Sequence, residues 1–261
     1  MNFWVLIVLC IVQGLTEFLP VSSSGHLLFM EQIFNVSGNL LFLNLFLHIA
    51  TLLAVVIVYR KIIWQLIKNP FQKYTLKLLI ATLCTLVFAF AYEYFNVDSI
   101  VTKIYCFGFL ATSILLFFCH RFQNKSSVIL ASDEISMKNS VLVGVVQGFA
   151  VVPGLSRSGS TISSLILAGN NEKKSAEFSF LLSIPIIVGG FALELIKILK
   201  NDNNLVFFDI KSYIFAFFLT FIVSLFALKI TIKLLINQKF IVFSVYTFVM
   251  FIVTFILNFL V

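Results

Sequence analysis

Ser23 and His26 stand three residues apart just after Pro20. If a helix begins near Ser22, hydroxyl and imidazole fall on one side within hydrogen-bond reach, the geometry by which a base activates a nucleophile. The same residues fit a quieter role, because Ser22 to Ser24 are good helix N-caps and a buried imidazole can serve packing alone. Just upstream, Gln13 and Glu17 lie four apart and share one face if that limb stays helical to Phe18. A carboxylate at membrane depth needs a partner, and the candidates are Arg157 or a divalent cation. Glu17 is therefore either a metal ligand with Gln13 beside it or the ion-pair partner that holds the arginine.

A second polar stretch, "PGLSRSGST" from Pro153 to Thr161, combines the parts of an anion cradle. Gly154 and Gly159 allow close backbone approach, and Ser156, Ser158 and Thr161 carry hydroxyl donors. The helix that follows turns its positive end toward the loop. Arg157 adds a planar, permanently charged fork suited to phosphate oxygens. The bland alternative is a serine-rich cap with a snorkelling arginine. An arginine in a re-entrant loop, away from the clusters of Lys and Arg, favours a functional role.

These residues need elements to hold them, and composition fixes what those are. Of 261 residues 61% are hydrophobic and 11% charged, more apolar surface than a soluble core of this length absorbs. The expected fold is an all-α polytopic membrane protein forming a single membrane domain over 1–261. Runs long enough to span are Leu40 to Tyr59, Leu76 to Tyr94, Ile100 to Cys119, Phe178 to Ile196, Tyr213 to Ile232 and Phe240 to Leu260, since a helix needs about 20 residues to cross. Phe3 to Gly14 and Val141 to Val152 are too short. They read as first limbs of re-entrant hairpins, with Leu27 to Phe34 and Ile162 to Ala168 returning.

The chain also repeats itself. Val12-Gln13-Gly14 recurs at Val146-Gln147-Gly148, and Ser22, Ser24 and Gly25 recur at Ser156, Ser158 and Gly159, all at a period of 134 residues. Two halves, roughly 1–120 and 138–261, each hold one hairpin and three spans. An odd span count places the second hairpin on the opposite face, so six transmembrane helices plus two re-entrant hairpins form an inverted-topology repeat. In that topology thirteen basic residues fall on the face opposite the N-terminus, from Arg60 and Lys61 through Arg121 and Lys125 to Lys239. Four (Lys103, Lys197, Lys200 and Lys211) fall on the other. The positive-inside rule then makes the 121–138 connection cytoplasmic and puts both termini outside.

The net charge of +7 reports this topology and not nucleic-acid binding, because Lys and Arg cluster between apolar runs instead of lining one face. Cys10, Cys84, Cys106 and Cys119 stand singly without ligand spacing and read as small buried side chains. No Lys or Arg precedes the first apolar run, which argues against a cleaved signal peptide. His48 and His120 lie in or at the end of spans without a spaced partner and read as structural. Glu177 can support the second hairpin, while Glu194 and Lys197 sit at a span end near water.

"QGLTEFLPVSSSGH" together with "PGLSRSGST" resembles the bacterial undecaprenyl-diphosphate phosphatase, or bacitracin-resistance, family. The resemblance covers both segments, their separation, the chain length and the span count. It implies an enzyme of the bacterial cytoplasmic (inner) membrane that removes the terminal phosphate of undecaprenyl diphosphate. That reaction recycles the lipid carrier for peptidoglycan and other envelope glycans. It further implies dependence on Mg2+ or Ca2+, a long-chain prenyl diphosphate as substrate in contact with membrane lipid, and a site opening outward; a homodimer is compatible with it. The matching positions are Gln13 and Glu17, Ser23 and His26, then Ser156, Arg157, Ser158 and Thr161. Gln13 stands where other members carry Glu, which leaves Glu17 the one carboxylate of its segment; Asp133 and Glu134, on the cytoplasmic connection, are not expected to replace the missing one. On this resemblance Ser23 is the preferred nucleophile with His26 as acid/base, and His26 as nucleophile or water activator is the competing version.

Inverted repeats with broken helices also describe secondary transporters and anion or lipid-phosphate translocators. Ser23 separates the two classes: an anion pore can dispense with it, and a covalent phosphatase mechanism cannot.

Overall fold

Away from water a chain must satisfy its backbone N–H and C=O groups internally, so apolar runs become helices. The computed structural model describes residues 3–36, 40–95, 98–123, 132–201 and 209–259. Among these residues there are eleven helices: α1 Phe3–Thr16, α2 Ser23–Ile33, α3 Leu41–Val58, α4 Arg60–Lys68, α5 Lys73–Tyr94, α6 Asp98–Gln123, α7 Met137–Phe149, α8 Arg157–Leu167, α9 Glu172–Asn201, α10 Ile210–Ile236 and α11 Phe240–Phe259. An isolated bridge joins Ser132 to Asn170. Lys125 and the side chains of Glu194, Lys197 and Lys200 lie outside the described residues.

Five stretches are long and apolar enough to cross a membrane: Lys73–Tyr92, Lys103–Phe122, Glu172–Leu193, Ile210–Ile236 and Phe240–Phe259. The sixth expected span, Leu40 to Tyr59, corresponds to α3, which passes the same test only with α4, across a bend of 80°. The sequence reading has no helix at α4, where Arg60, Lys61 and Lys68 read as loop charges. It forms because Ile62, Ile63 and Leu66 share a face and pack on the cluster around Leu78, Phe178 and Leu181, leaving the basic residues on the far side.

The short limbs are α1 with α2 and α7 with α8, and each pair packs together. Both returning limbs start earlier than expected, at Ser23 and Arg157, because Ser22 and Ser156 cap them. Ser22 Oγ accepts from Gly25 N at 3.3 Å, and Ser156 Oγ accepts from Gly159 N at 3.0 Å. Other contacts recur at the same spacing. Thr220 on α10 donates to the Cys10 carbonyl on α1 (3.3 Å), and Thr85 on α5 donates to the Gly144 carbonyl on α7 (3.0 Å). The acceptors stand 134 residues apart, the period of the sequence repeat, and the donors 135. The turn after α1 is anchored by Phe18 and Val21, buried in a core with Ile162, Phe180, Leu228 and Phe240. Phe18 meets Phe180 edge-on at 5.6 Å.

Candidate active site

The loops after α1 and α7 meet face to face. Gly154 has φ +86°, a conformation that favours glycine, and a side chain on Gly25 would lie 2.9 Å from the Gly154 Cα. Ser158 Oγ donates across the gap to the Leu19 carbonyl at 3.1 Å. Ser22 is held at φ 70°, a strain on the order of 1–3 kcal/mol for a non-glycine residue, and it sits at the first residue before α2. The two serine-rich segments therefore form one rigid junction.

At this junction Glu17 is the hub. The backbone bond from Glu17 N to the Gln13 carbonyl (3.1 Å) carries the helical turn past Thr16, so Gln13 and Glu17 do share a face. Gln13 Nε2 donates to Glu17 Oε2 at 3.0 Å, and Ser23 Oγ donates to the same oxygen at 2.6 Å. Arg157 Nη2 pairs with Oε1. Glu17 is 5% exposed, so this carboxylate is held by three donors in place of water. Of the two partners open to Glu17, the ion pair with Arg157 is formed.

Ser23 and His26 are not brought together. Ser23 bonds to Glu17, whereas His26 Nδ1 lies 2.7 Å from the Ser22 carbonyl and Nε2 lies 2.7 Å from the Tyr246 hydroxyl. A carbonyl only accepts, so Nδ1 carries a proton. The buried ring also stacks on Tyr246 and meets Phe109 edge-on. His26 thus ties α2 to α11, and the acceptor for the Ser23 proton is a carboxylate, not an imidazole.

A cavity of about 360 Å³ opens beside Glu17, Ser23 and Arg157. Ser22, Ser24, Ser156 and Ser158 line it, whereas Gly159 and Thr161 are not among its lining residues. Thr161 is fully buried and shares a 2.5 Å hydrogen bond with Ser179; its hydroxyl also donates to the Arg157 carbonyl at 2.8 Å, which steadies α8. Gly159 N is committed to the Ser156 cap.

His48 and Gln147 also line the cavity, and neither is a candidate site residue from the sequence. His48, on α3, places Nε2 3.9 Å from Glu17 Oε2 while Nδ1 bonds to the Asn44 carbonyl at 2.7 Å. Glu17 is 31 positions away in the chain, beyond any spacing pattern, which is why the sequence shows no spaced partner for His48. Gln147, on α7, donates to Thr85 at 3.2 Å and keeps Oε1 buried without a partner. The repeat itself pointed there, since Gln147 is the image of Gln13.

Elsewhere, Glu177 pairs with Lys174 at 3.0 Å, Glu134 with Lys77 at 2.7 Å, and Asp133 with Asn171, all outside the cavity. The Lys77 hydrogen bond holds the exposed Glu134 carboxyl below the usual range. No group of three or more His, Cys, Asp or Glu able to hold a metal occurs among the described residues.

A family model described as bacitracin resistance protein BacA matches residues 6–253. The chain belongs to the BacA family. Curated relatives carry the name undecaprenyl-diphosphatase: the protein of Carboxydothermus hydrogenoformans is 33% identical over 251 residues, covering 96% of this chain and 95% of its own length. That of Borrelia recurrentis is 36% identical over 263 residues (94% and 95%), and that of Methanococcus vannielii 34% over 250 residues (93% and 95%). The BacA match spans both loops of the junction, and with the apolar helices it makes the chain a multi-pass membrane protein.

Proposed function

We propose that this protein hydrolyses the terminal phosphate of undecaprenyl diphosphate, giving undecaprenyl phosphate and inorganic phosphate. The observation that carries the reading is Glu17 bridging Ser23 of one half to Arg157 of the other at the wall of a cavity. Ser23 Oγ attacks the terminal phosphorus and loses its proton to Glu17 Oε2, while the bond from phosphorus to the bridging oxygen breaks and undecaprenyl phosphate leaves. Water then attacks the phosphoserine phosphorus as the bond to Ser23 Oγ breaks; Ser23 Oγ takes back the proton from Glu17, and the water's oxygen and protons leave with inorganic phosphate. Arg157 offers its remaining N–H groups to the phosphate oxygens, and the N-terminus of α8 adds positive potential; charge stabilisation and positioning are the main demands of phosphoryl transfer. The relatives' shared name favours hydrolysis over the transporter alternative.

The oxygens there are hard donors, which suit Mg2+ or Ca2+: the Glu17 carboxylate and the Ser23 hydroxyl line the cavity, and Gln13, which does not itself line it, keeps Oε1 buried without a partner. Glu17 and Gln13 would hold such an ion with the substrate's phosphates completing its shell, as magnesium commonly sits on one or two carboxylates plus phosphate oxygens. Bound there, it would offset charge on the diphosphate.

The arrangement in the membrane is six spans and two re-entrant hairpins in an inverted repeat, with both termini outside the cytoplasmic membrane and the site opening outward. The matched contacts of Thr220 with Cys10 and of Thr85 with Gly144 support the repeat, and the thirteen-to-four bias of basic residues supports the placement of the termini; the outward opening follows from the family resemblance. The test is phosphate release from undecaprenyl diphosphate by the purified protein with Mg2+ or Ca2+ present. Wild type should release phosphate, and Ser23→Ala and Arg157→Ala should each lose about 10²-fold or more. Absence of release from wild type would contradict the reading.

A further inference from the structure

The cavity's lining combines two chemistries. Glu17, Ser23, His48 and Arg157 are polar, whereas Leu86 and Ala89 of α5 and Gly189, Gly190, Phe191 and Leu193 of α9 offer apolar surface. Two consecutive glycines inside a membrane-crossing helix call for a reason, because glycine is the poorest helix former after proline. Neither glycine is there for close packing: a side chain added at either position would meet nothing within 4 Å. Pro185 stands one turn earlier in the same helix. The glycines instead leave a notch, and it runs outward. Gly190 is exposed, and Leu193, which lines the cavity, is 46% exposed on the apolar surface of the helix, with Val188 at 49% and Phe90 of α5 at 59%.

We propose that this notch is the prenyl subsite: the substrate's chain leaves the diphosphate cavity sideways between α5 and α9, its first isoprene units lying over Gly189 and Gly190. This rests on the phosphatase reading. The occupant follows from continuity, because the α5 and α9 residues line the same cavity as Glu17, Ser23 and Arg157, where a diphosphate would sit. About 360 Å³ is at the low end of the roughly 300–1,000 Å³ of ligand pockets and cannot enclose an undecaprenyl chain. The remainder of the chain must therefore lie in the bilayer, and a sidewise exit lets it do so without withdrawing the phosphate from Glu17 and Arg157.

The test compares undecaprenyl diphosphate with methyl diphosphate, which has no isoprene unit to place over Gly189 and Gly190, in wild type, Gly190→Ala and Gly190→Leu. Leucine is a better helix former than glycine, so Gly190→Leu is expected to keep or raise the melting temperature. The ratio of kcat/KM for the long over the short substrate should fall about tenfold in Gly190→Leu, carried mainly by KM, and only about twofold in Gly190→Ala, in proportion to the methyl and methylene groups added to the passage. An unchanged ratio, with both substrates slowed alike or neither slowed, would overturn the subsite and assign the notch to an ordinary bilayer lipid chain. Wild type releasing phosphate from neither substrate would instead remove the phosphatase reading beneath it.

Discussion

Replacing Arg157 by Ala leaves a carboxylate in place without its cation. The Glu17 side chain is 3% exposed and that of Arg157 21%, so little water can take over the lost interaction. Removing one member of a buried ion pair costs about 3–5 kcal/mol. Here Ser23 and Gln13 still donate to Oε2, which places the expected loss near the lower end, about 3 kcal/mol. Adding Glu17→Gln removes the stranded charge, and the double variant should recover most of that loss, giving a coupling of at least about 2 kcal/mol between the two positions, larger by whatever Glu17→Gln costs alone. The assay is denaturant unfolding of the four proteins in detergent, with phosphate release measured beside it. Stability should return in the double variant while activity stays lost, because both groups serve the reaction. Two changes that add within about 0.5 kcal/mol would refute the idea that the Arg157–Glu17 pair stabilises the fold.

Tyr246→Phe leaves His26 Nε2 buried without a partner and should cost about 1–3 kcal/mol of stability with phosphate release within about twofold of wild type; collapse of activity at unchanged stability would return His26 to the chemistry. His48→Ala should lower kcat/KM about 10-fold or more, and His48→Gln, which can still place a donor near Glu17 and the phosphate, should retain most of it; equal losses in both would make the role one of packing. Because Lys77 holds the folded-state pKa of Glu134 down, their pairing stabilises the fold above the ordinary carboxylate range and is lost as pH falls through the lowered value. Glu134→Gln should therefore melt below wild type at neutral pH, and the gap should close toward about pH 4 and below; a gap that persists in acid would mean the pairing is not its cause.

Much of this site was legible because its residues are local or repeated. The shortness of the run before Pro20, the i to i+4 spacing of Gln13 and Glu17 and the serines that cap α2 and α8 are all properties of neighbouring residues. The 134-residue period marked Gln147, although its buried carbonyl was not foreseen. What the sequence did not carry is long-range choice among polar partners. Ser23 has a histidine three residues on and a glutamate six residues back, and only the fold of the loop decides for the glutamate. The fold likewise sends His26 to a tyrosine 220 positions away and brings His48 to the cavity. α4 was missed because its basic residues read as loop charge, and its apolar face matters only once α5 and α9 supply a surface for it. Thr161 was placed by motif at the substrate, yet its position one turn into α8 turns its hydroxyl to Ser179.

The central claim is that Ser23, held by Glu17 and faced by Arg157, takes the terminal phosphate. Its most direct test is acid-quenched turnover of undecaprenyl diphosphate labelled in that phosphate, followed by peptide mass spectrometry. Label should appear transiently on the peptide containing Ser23 and accumulate as inorganic phosphate. Label released at the wild-type rate by Ser23→Ala, or trapped on a histidine, would contradict it.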